Sequence, residues 1–145
     1  MPGLAGAAKC DLLFVYGTLR RGFCLHSNLT RLGASFRGEA KVAGELFDLG
    51  VYPGARPADE ERKWVCGELF HLRKPEHDLA FLDEVEGFDP HAPLGGEFVR
   101  ARAEVILDDG TPHRAWIYWL SPKAPATRRI ASGDYATSAV RRESD

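Results

Sequence analysis

Two stretches of this chain combine residue types that could do chemistry. The first ends in Glu86, which follows Leu79 and Leu82 at helical spacing and precedes Gly87. Residues at i, i+3 and i+7 share one face of a helix, so Glu86 is expected on the apolar side at the helix C-terminus. Burial there penalises the carboxylate and the negative end of the helix dipole repels it, so both raise its proton affinity. A carboxylate tuned in this way is a candidate general base near neutral pH. The same pattern allows a slight helix rotation that takes Glu86 to solvent, together with Asp83 and Glu84.

The second stretch is Tyr16-Gly17-Thr18-Leu19-Arg20-Arg21-Gly22, where an apolar run stops at a glycine. Amides just beyond a strand are free of its ladder and can cradle an anion, while glycine lets a ligand approach the main chain. Thr18 adds a hydroxyl that could hold a carboxylate or carbonyl oxygen. A strand followed by Gly-Thr is also the sequence of a plain turn.

Other chemistries find no support. His71 and His77 stand six apart with Pro75 between them, which fits neither an i, i+4 helical metal pair nor a pair on one strand. They read as surface histidines. Cys10, Cys24 and Cys66 form no Cys-x-x-Cys pair, so neither a disulfide framework nor a zinc site is expected. No Gly-x-Ser-x-Gly elbow, phosphate-binding Gly-Lys-Ser/Thr loop or dinucleotide fingerprint is present. A metal site, and hydrolases or nucleotide enzymes of those types, therefore lack support.

Those candidate groups must be positioned by a small domain. A chain of 145 residues, 44% hydrophobic and 28% charged, suits one globular domain with a real core. That domain is expected over 12–138, between tails at 1–11 and 139–145. Leu12-Leu13-Phe14-Val15-Tyr16 reads as a buried central strand that stops at Gly17. The stretch 34–49 predicts one long strand or two, bent at Gly38 and Gly44. The stretch 63–72 returns to strand character around Gly67, where another bend is expected. Pro75 at a first helical position, with Glu76 and Asp78 in the first turn, predicts a helix that ends at Gly87.

The segments 97–107 and 113–120 predict a hairpin through Asp108-Asp109-Gly110-Thr111. Trp116, Tyr118 and Trp119 read as core and wall, with one of them available to line a pocket. A short helix is expected over 27–32 and a last extended piece over 130–135. Strands dominate, so the fold class is α+β, with a curved, mostly antiparallel, barrel-like sheet and one main helix.

The formal net charge of −2 creates no field for phosphate backbones, and Arg20-Arg21 and Arg128-Arg129 read as solvated surface pairs. A nucleic-acid partner is not expected. Nowhere do about 18 apolar residues run together as a membrane span would require. The opening residues lack the basic start and apolar stretch of a secretory signal, which with reduced cysteines points to the cytoplasm. The oligomeric state stays open.

Read in order, Val15 to Gly22, Tyr52-Pro53-Gly54, Val65 to Leu69, Leu82 to Gly87, Arg100, Ala115 to Tyr118 and Ser132 to Tyr135 resemble the successive signatures of the gamma-glutamylcyclotransferase-like family. The resemblance runs from about Leu12 to Tyr135. It implies a compact mixed barrel whose Tyr-Gly-Thr-Leu loop walls a cavity, with the helix-end glutamate facing it. It also implies an enzyme that cyclises a small gamma-glutamyl amine or peptide to 5-oxoproline and releases the free amine, without a cofactor. Carried over, Glu86 is the catalytic base, and Tyr16, Gly17, Thr18, Leu19, Arg100 and Tyr118 are the substrate-binding residues. Family members often carry Tyr before x-Arg, where this chain has Phe98-Val99-Arg100, so one hydroxyl is missing. The alternatives are a non-catalytic module of the same fold that binds a small acid, and a structural scaffold with Glu86 in solvent and no cavity beside the loop.

Overall fold

The computed structural model describes residues 10–58 and 63–137. Among these residues, six strands and two helices of six residues or more follow one another as β1 (Leu12–Val15), α1 (His26–Arg31), β2 (Ser35–Asp48), β3 (Pro53–Pro57), β4 (Trp64–His71), α2 (Pro75–Glu86), β5 (Phe98–Leu107) and β6 (Pro112–Leu120). The sheet order is β3-β2-β4-β1-β6-β5, and β5 also pairs with β2. Strands β2, β4, β1, β6 and β5 therefore close on themselves as a mixed five-stranded barrel, with β3 attached to the far end of β2. All pairings are antiparallel except that of β1 with β6, in register at Leu13 and Trp116. Closure removes the exposed edges that an open sheet would leave.

One unbroken 14-residue strand, β2, makes closure possible. Its first part pairs with β4, its last five residues with β3, and residues 40–42 meet β5. The register slips between Phe36 and Gly38, and Gly38 has a φ of 145°, a backbone state that side chains disfavour. The bend expected at Gly67 has another meaning. A Cβ on Gly67 would lie 2.3 Å from the Val15 carbonyl oxygen and 2.6 Å from the Phe14 ring, so this glycine admits a close approach of β1.

Alternation along the strands sorts the apolar residues into two layers. Phe14, Tyr16, Ala40, Val42, Leu69, Val105, Ile117 and Trp119 fill the barrel. Leu13, Val15, Phe70, Phe98, Tyr118 and Leu120 face outward and are covered by α1 and α2 through Leu29, Leu79 and Leu82. Helix α2 starts with Pro75 in its first turn and ends at Gly87 in the left-handed conformation, φ 70°. The Phe88 amide then donates to the Asp83 carbonyl at 2.8 Å and closes the last turn.

Three local expectations change. Cys10 and Asp11, read as part of a tail, are bonded into the barrel: the Leu72 amide donates to the Asp11 carbonyl and Trp116 Nε1 to that of Cys10. Most of both tails lies outside the described residues. The last extended contact is centred on Arg129, which bridges Phe47, while residues 131–133 turn and 135–137 are helical. Arg20 is buried rather than solvated, because Asp134 and Glu68 close around its guanidinium.

Candidate active site

The cavity at the open end of β1 is built from four pieces. Residues 14–19 form one wall, Tyr52 and Pro53 a second, the last turn of α2 a third, and Glu97, Phe98 and Tyr118 the remainder. Its volume is about 160 Å³, room for a small molecule's reacting end. Glu86, Tyr16, Gly17, Thr18, Leu19 and Tyr118 all line it.

The loop wall is shaped by its own hydrogen bonds. The carbonyl oxygens of Gly17, Thr18 and Arg20 accept from the amides of Arg20, Leu25 and Phe23. His26 Nδ1 lies 2.9 Å from the Leu19 carbonyl. Those carbonyls are thereby occupied, whereas the amides of Thr18 and Leu19 have no backbone partner among the described turn and loop bonds. From behind, the Arg20 guanidinium donates to Asp134 at 2.9 Å and the Arg21 amide to Glu68 at 2.9 Å, which holds the turn rigid. Gly17 is required by contact: a Cβ there would meet Pro53 Cγ at 2.7 Å.

Glu86 stands in the last turn of α2, half-buried beside Val85. Burial, and secondarily the charge of Glu97, push its pKa up from the ordinary 4.5 to about 7. Desolvation is thus the dominant cause, as its place after Leu79 and Leu82 implied. No hydrogen-bond partner holds the carboxylate among the described residues, so it is free to exchange a proton with a ligand in the cavity.

Asp83 was grouped by sequence with the solvent-facing acids, yet it is buried. It sits four residues after Leu79, a spacing that also shares a helix face and would have marked it. Arg100 donates to both of its oxygens, Nε at 2.7 Å and Nη2 at 3.1 Å, and the Tyr118 hydroxyl donates to Oδ1 at 2.7 Å. Arg100 therefore does not line the cavity. Its guanidinium is held by Asp83 and stacked 4.5 Å from the Trp116 ring. Its place is behind the helix end that carries Glu86.

The two tyrosines expected to touch ligand are similarly committed at their hydroxyls. Tyr16 donates to the Tyr118 carbonyl at 2.5 Å and accepts from the Ala55 amide at 3.1 Å. Burial raises the pKa of both phenols beyond any working range, so both stay protonated. Their rings supply cavity wall, and their bonds tie β1, β3, β6 and α2 together around it. Two polar lining residues had no site reading from sequence, Tyr52 and Glu97. The Tyr52 hydroxyl donates to Glu97 Oε1, which with partial burial lifts the phenol to about 12. Tyr52 had registered as a turn signal and as part of one family-like motif, and Glu97 only as the start of a strand.

A small closed mixed barrel with one acid-bearing cavity beside a glycine turn is the class this architecture defines. A scaffold with Glu86 in solvent and no cavity is not what the fold presents. Comparison with known proteins makes the class specific: residues 13–137 match the family described as gamma-glutamyl cyclotransferase, AIG2-like. The chain belongs to that family.

A Vibrio cholerae protein provisionally named a gamma-glutamylcyclotransferase is 36% identical over 124 residues, covering 86% of this chain and 94% of its own. The gamma-L-glutamyl-butirosin B gamma-glutamyl cyclotransferase of Niallia circulans is 34% identical over 116 residues, covering 79% and 70%. Among solved structures, YkqA from Bacillus subtilis superimposes with a TM-score of 0.73 at 26% identity, over 94% of this chain. This chain spans 44% of that protein's length.

Proposed function

We propose that this protein is a cyclotransferase that converts a small gamma-glutamyl amine or gamma-glutamyl peptide to 5-oxoproline and releases the free amine, with Glu86 as general base and then general acid. One observation carries the reading: a half-buried carboxylate poised near neutrality shares a small cavity with the amides of Thr18 and Leu19, which have no backbone partner among the described turn and loop bonds. The family membership and the names of the two relatives support the same reaction class.

The substrate's alpha-ammonium has no lone pair to attack with until it loses a proton. Glu86 takes that proton, and a pKa near 7 narrows the gap between carboxylate and amine. The freed nitrogen adds to the gamma-carbonyl carbon and closes a five-membered ring. The carbonyl electron pair moves onto oxygen, and amides of the Gly17–Leu19 turn are suited to hold that oxyanion or the alpha-carboxylate. Protonated Glu86 then delivers its proton to the departing nitrogen as the carbonyl re-forms and the C–N bond breaks. The ring nitrogen gives up its second proton to the freed amine or back to Glu86, leaving the neutral lactam of 5-oxoproline and an ammonium leaving group. Nucleophile and electrophile belong to one molecule, so the protein's main task is to fold the glutamyl chain, and such alignment supplies effective molarities of about 10⁵ M or more.

Incubation with a panel of gamma-glutamyl amines and dipeptides, with 5-oxoproline as the measured product, tests the reading. Product that depends on Glu86 supports it. Folded protein that forms none from any member of the panel refutes it, and a ligand-dependent rise in Tm without turnover would mark a binding module instead.

A further inference from the structure

Glu97 is unexplained by the chemistry above. It is exposed at the cavity mouth, where its charge raises the proton affinity of Glu86. Two carboxylates side by side repel, so the pair is unfavourable until something positive joins it.

Its position is built. A Cβ on Gly96 would lie 2.2 Å from the Gly87 carbonyl oxygen, so the absence of a side chain at 96 lets the loop press against the end of α2. That contact brings residue 97 beside residue 86. The Tyr52 hydroxyl then binds Glu97 Oε1 and orients the group, while Oε2 has no partner among the described residues. Tyr52 is itself braced by the Phe98 ring at a centroid distance of 5.8 Å.

Charge balance in the cavity points the same way. Among the described residues no lysine, arginine or histidine lines it, since Arg100 is spent on Asp83 behind the helix. A gamma-glutamyl group brings one alpha-ammonium, for which Glu86 is the partner, and one alpha-carboxylate, for which the loop amides are the donors the cavity offers. A second carboxylate at the mouth, where the leaving amine must project toward solvent, is left over.

We propose that Glu97, oriented by Tyr52, is a cation subsite for the leaving group, so that the favoured substrates are gamma-glutamyl derivatives of amines carrying a second, positively charged nitrogen. This rests on the cyclotransferase reading and narrows its substrate class. A leaving group ending in a carboxylate meets like charge at the same place and is disfavoured.

Three substrates with the same glutamyl group and leaving groups of matched length test it: the mono-gamma-glutamyl amides of 1,4-diaminobutane, n-butylamine and 4-aminobutanoate. The cationic substrate is expected to exceed the neutral one in kcat/KM by about tenfold, the size of a Coulomb attraction between unit charges about 6 Å apart in a partly exposed setting. The anionic substrate is expected to fall below both. Glu97→Gln should collapse these ratios toward one, Glu97→Lys should invert them, and added salt should shrink them in the wild type. Equal kcat/KM values in the wild type overturn the subsite and leave the cyclotransferase reading in place. So does a Glu97→Gln variant that slows all three substrates by one common factor, because that would put Glu97 on the shared alpha-ammonium. Absence of 5-oxoproline from all three and from gamma-glutamyl dipeptides removes the reading and the subsite together.

Discussion

Replacing Glu86 by Gln should disable the enzyme and stabilise the protein, and the two effects share one origin. Folding raises the Glu86 pKa from 4.5 to about 7. That difference corresponds to roughly 3 kcal/mol by which the fold prefers the protonated over the ionised side chain. Below about pH 4.5 the group is protonated in both folded and unfolded chains and there is no penalty. Between 4.5 and 7 the unfolded chain binds fewer protons than the folded one, so stability falls as pH rises. Above 7 the full penalty applies.

Glutamine has nearly the same shape and no charge, and the carboxylate has no hydrogen-bond partner to lose among the described residues. The variant should therefore match the wild type in urea unfolding at pH 4.5 and exceed it at pH 8. Allowing for partial solvent screening, the gain is about 2 kcal/mol. Turnover, measured as 5-oxoproline release, should fall by about 10²-fold or more. In the wild type the acid limb of kcat/KM should turn near pH 7. A stability difference that does not change between those two pH values would refute the argument that burial tunes this carboxylate. Near-normal turnover by Glu86→Gln would remove Glu86 from the reaction.

The remaining predictions concern the frame around that group. Asp83→Ala strands the Arg100 guanidinium and the Tyr118 hydroxyl without their shared acceptor, so urea titration should show a loss of about 3 kcal/mol, with kcat reduced as the helix end loosens. Tyr16→Phe deletes the bonds to the Tyr118 carbonyl and from the Ala55 amide, and thermal unfolding should reveal a cost of about 1–3 kcal/mol. Its activity should fall with cavity geometry rather than through a lost substrate contact, so kcat/KM for different leaving groups should drop by a common factor. Gly67→Ala forces a methyl to within 2.3 Å of the Val15 carbonyl, and denaturation should show a loss of about 2 kcal/mol or more as β1 is pushed from β4.

What was legible in the sequence was local or ordered along it. Helix α2 is bounded by Pro75 and by a left-handed Gly87, both of which act on the backbone within one turn. The β5–β6 hairpin is announced by Asp109-Gly110, and Gly110 takes the positive φ, 88°, that the turn demands. The placement of Glu86 after Leu79 and Leu82 allowed either a buried or a solvent-facing carboxylate, and the folded chain has it half-buried, whereas the ordered motifs foretold the family. The closure of β5 onto β2, the parallel step from β1 to β6, and the pairing of Arg20 with Asp134 join residues far apart in the chain. No periodicity records such meetings, because each depends on how the strands twist and shut. The same holds at the site. Asp83 is buried because Arg100 and Tyr118 arrive from other strands to satisfy it, and Glu97 reaches Glu86 because two backbones touch at Gly87 and Gly96. Residue type and spacing determined that a carboxylate would stand at a helix end; only the closed barrel decided that it is buried enough to hold its proton and which groups face it.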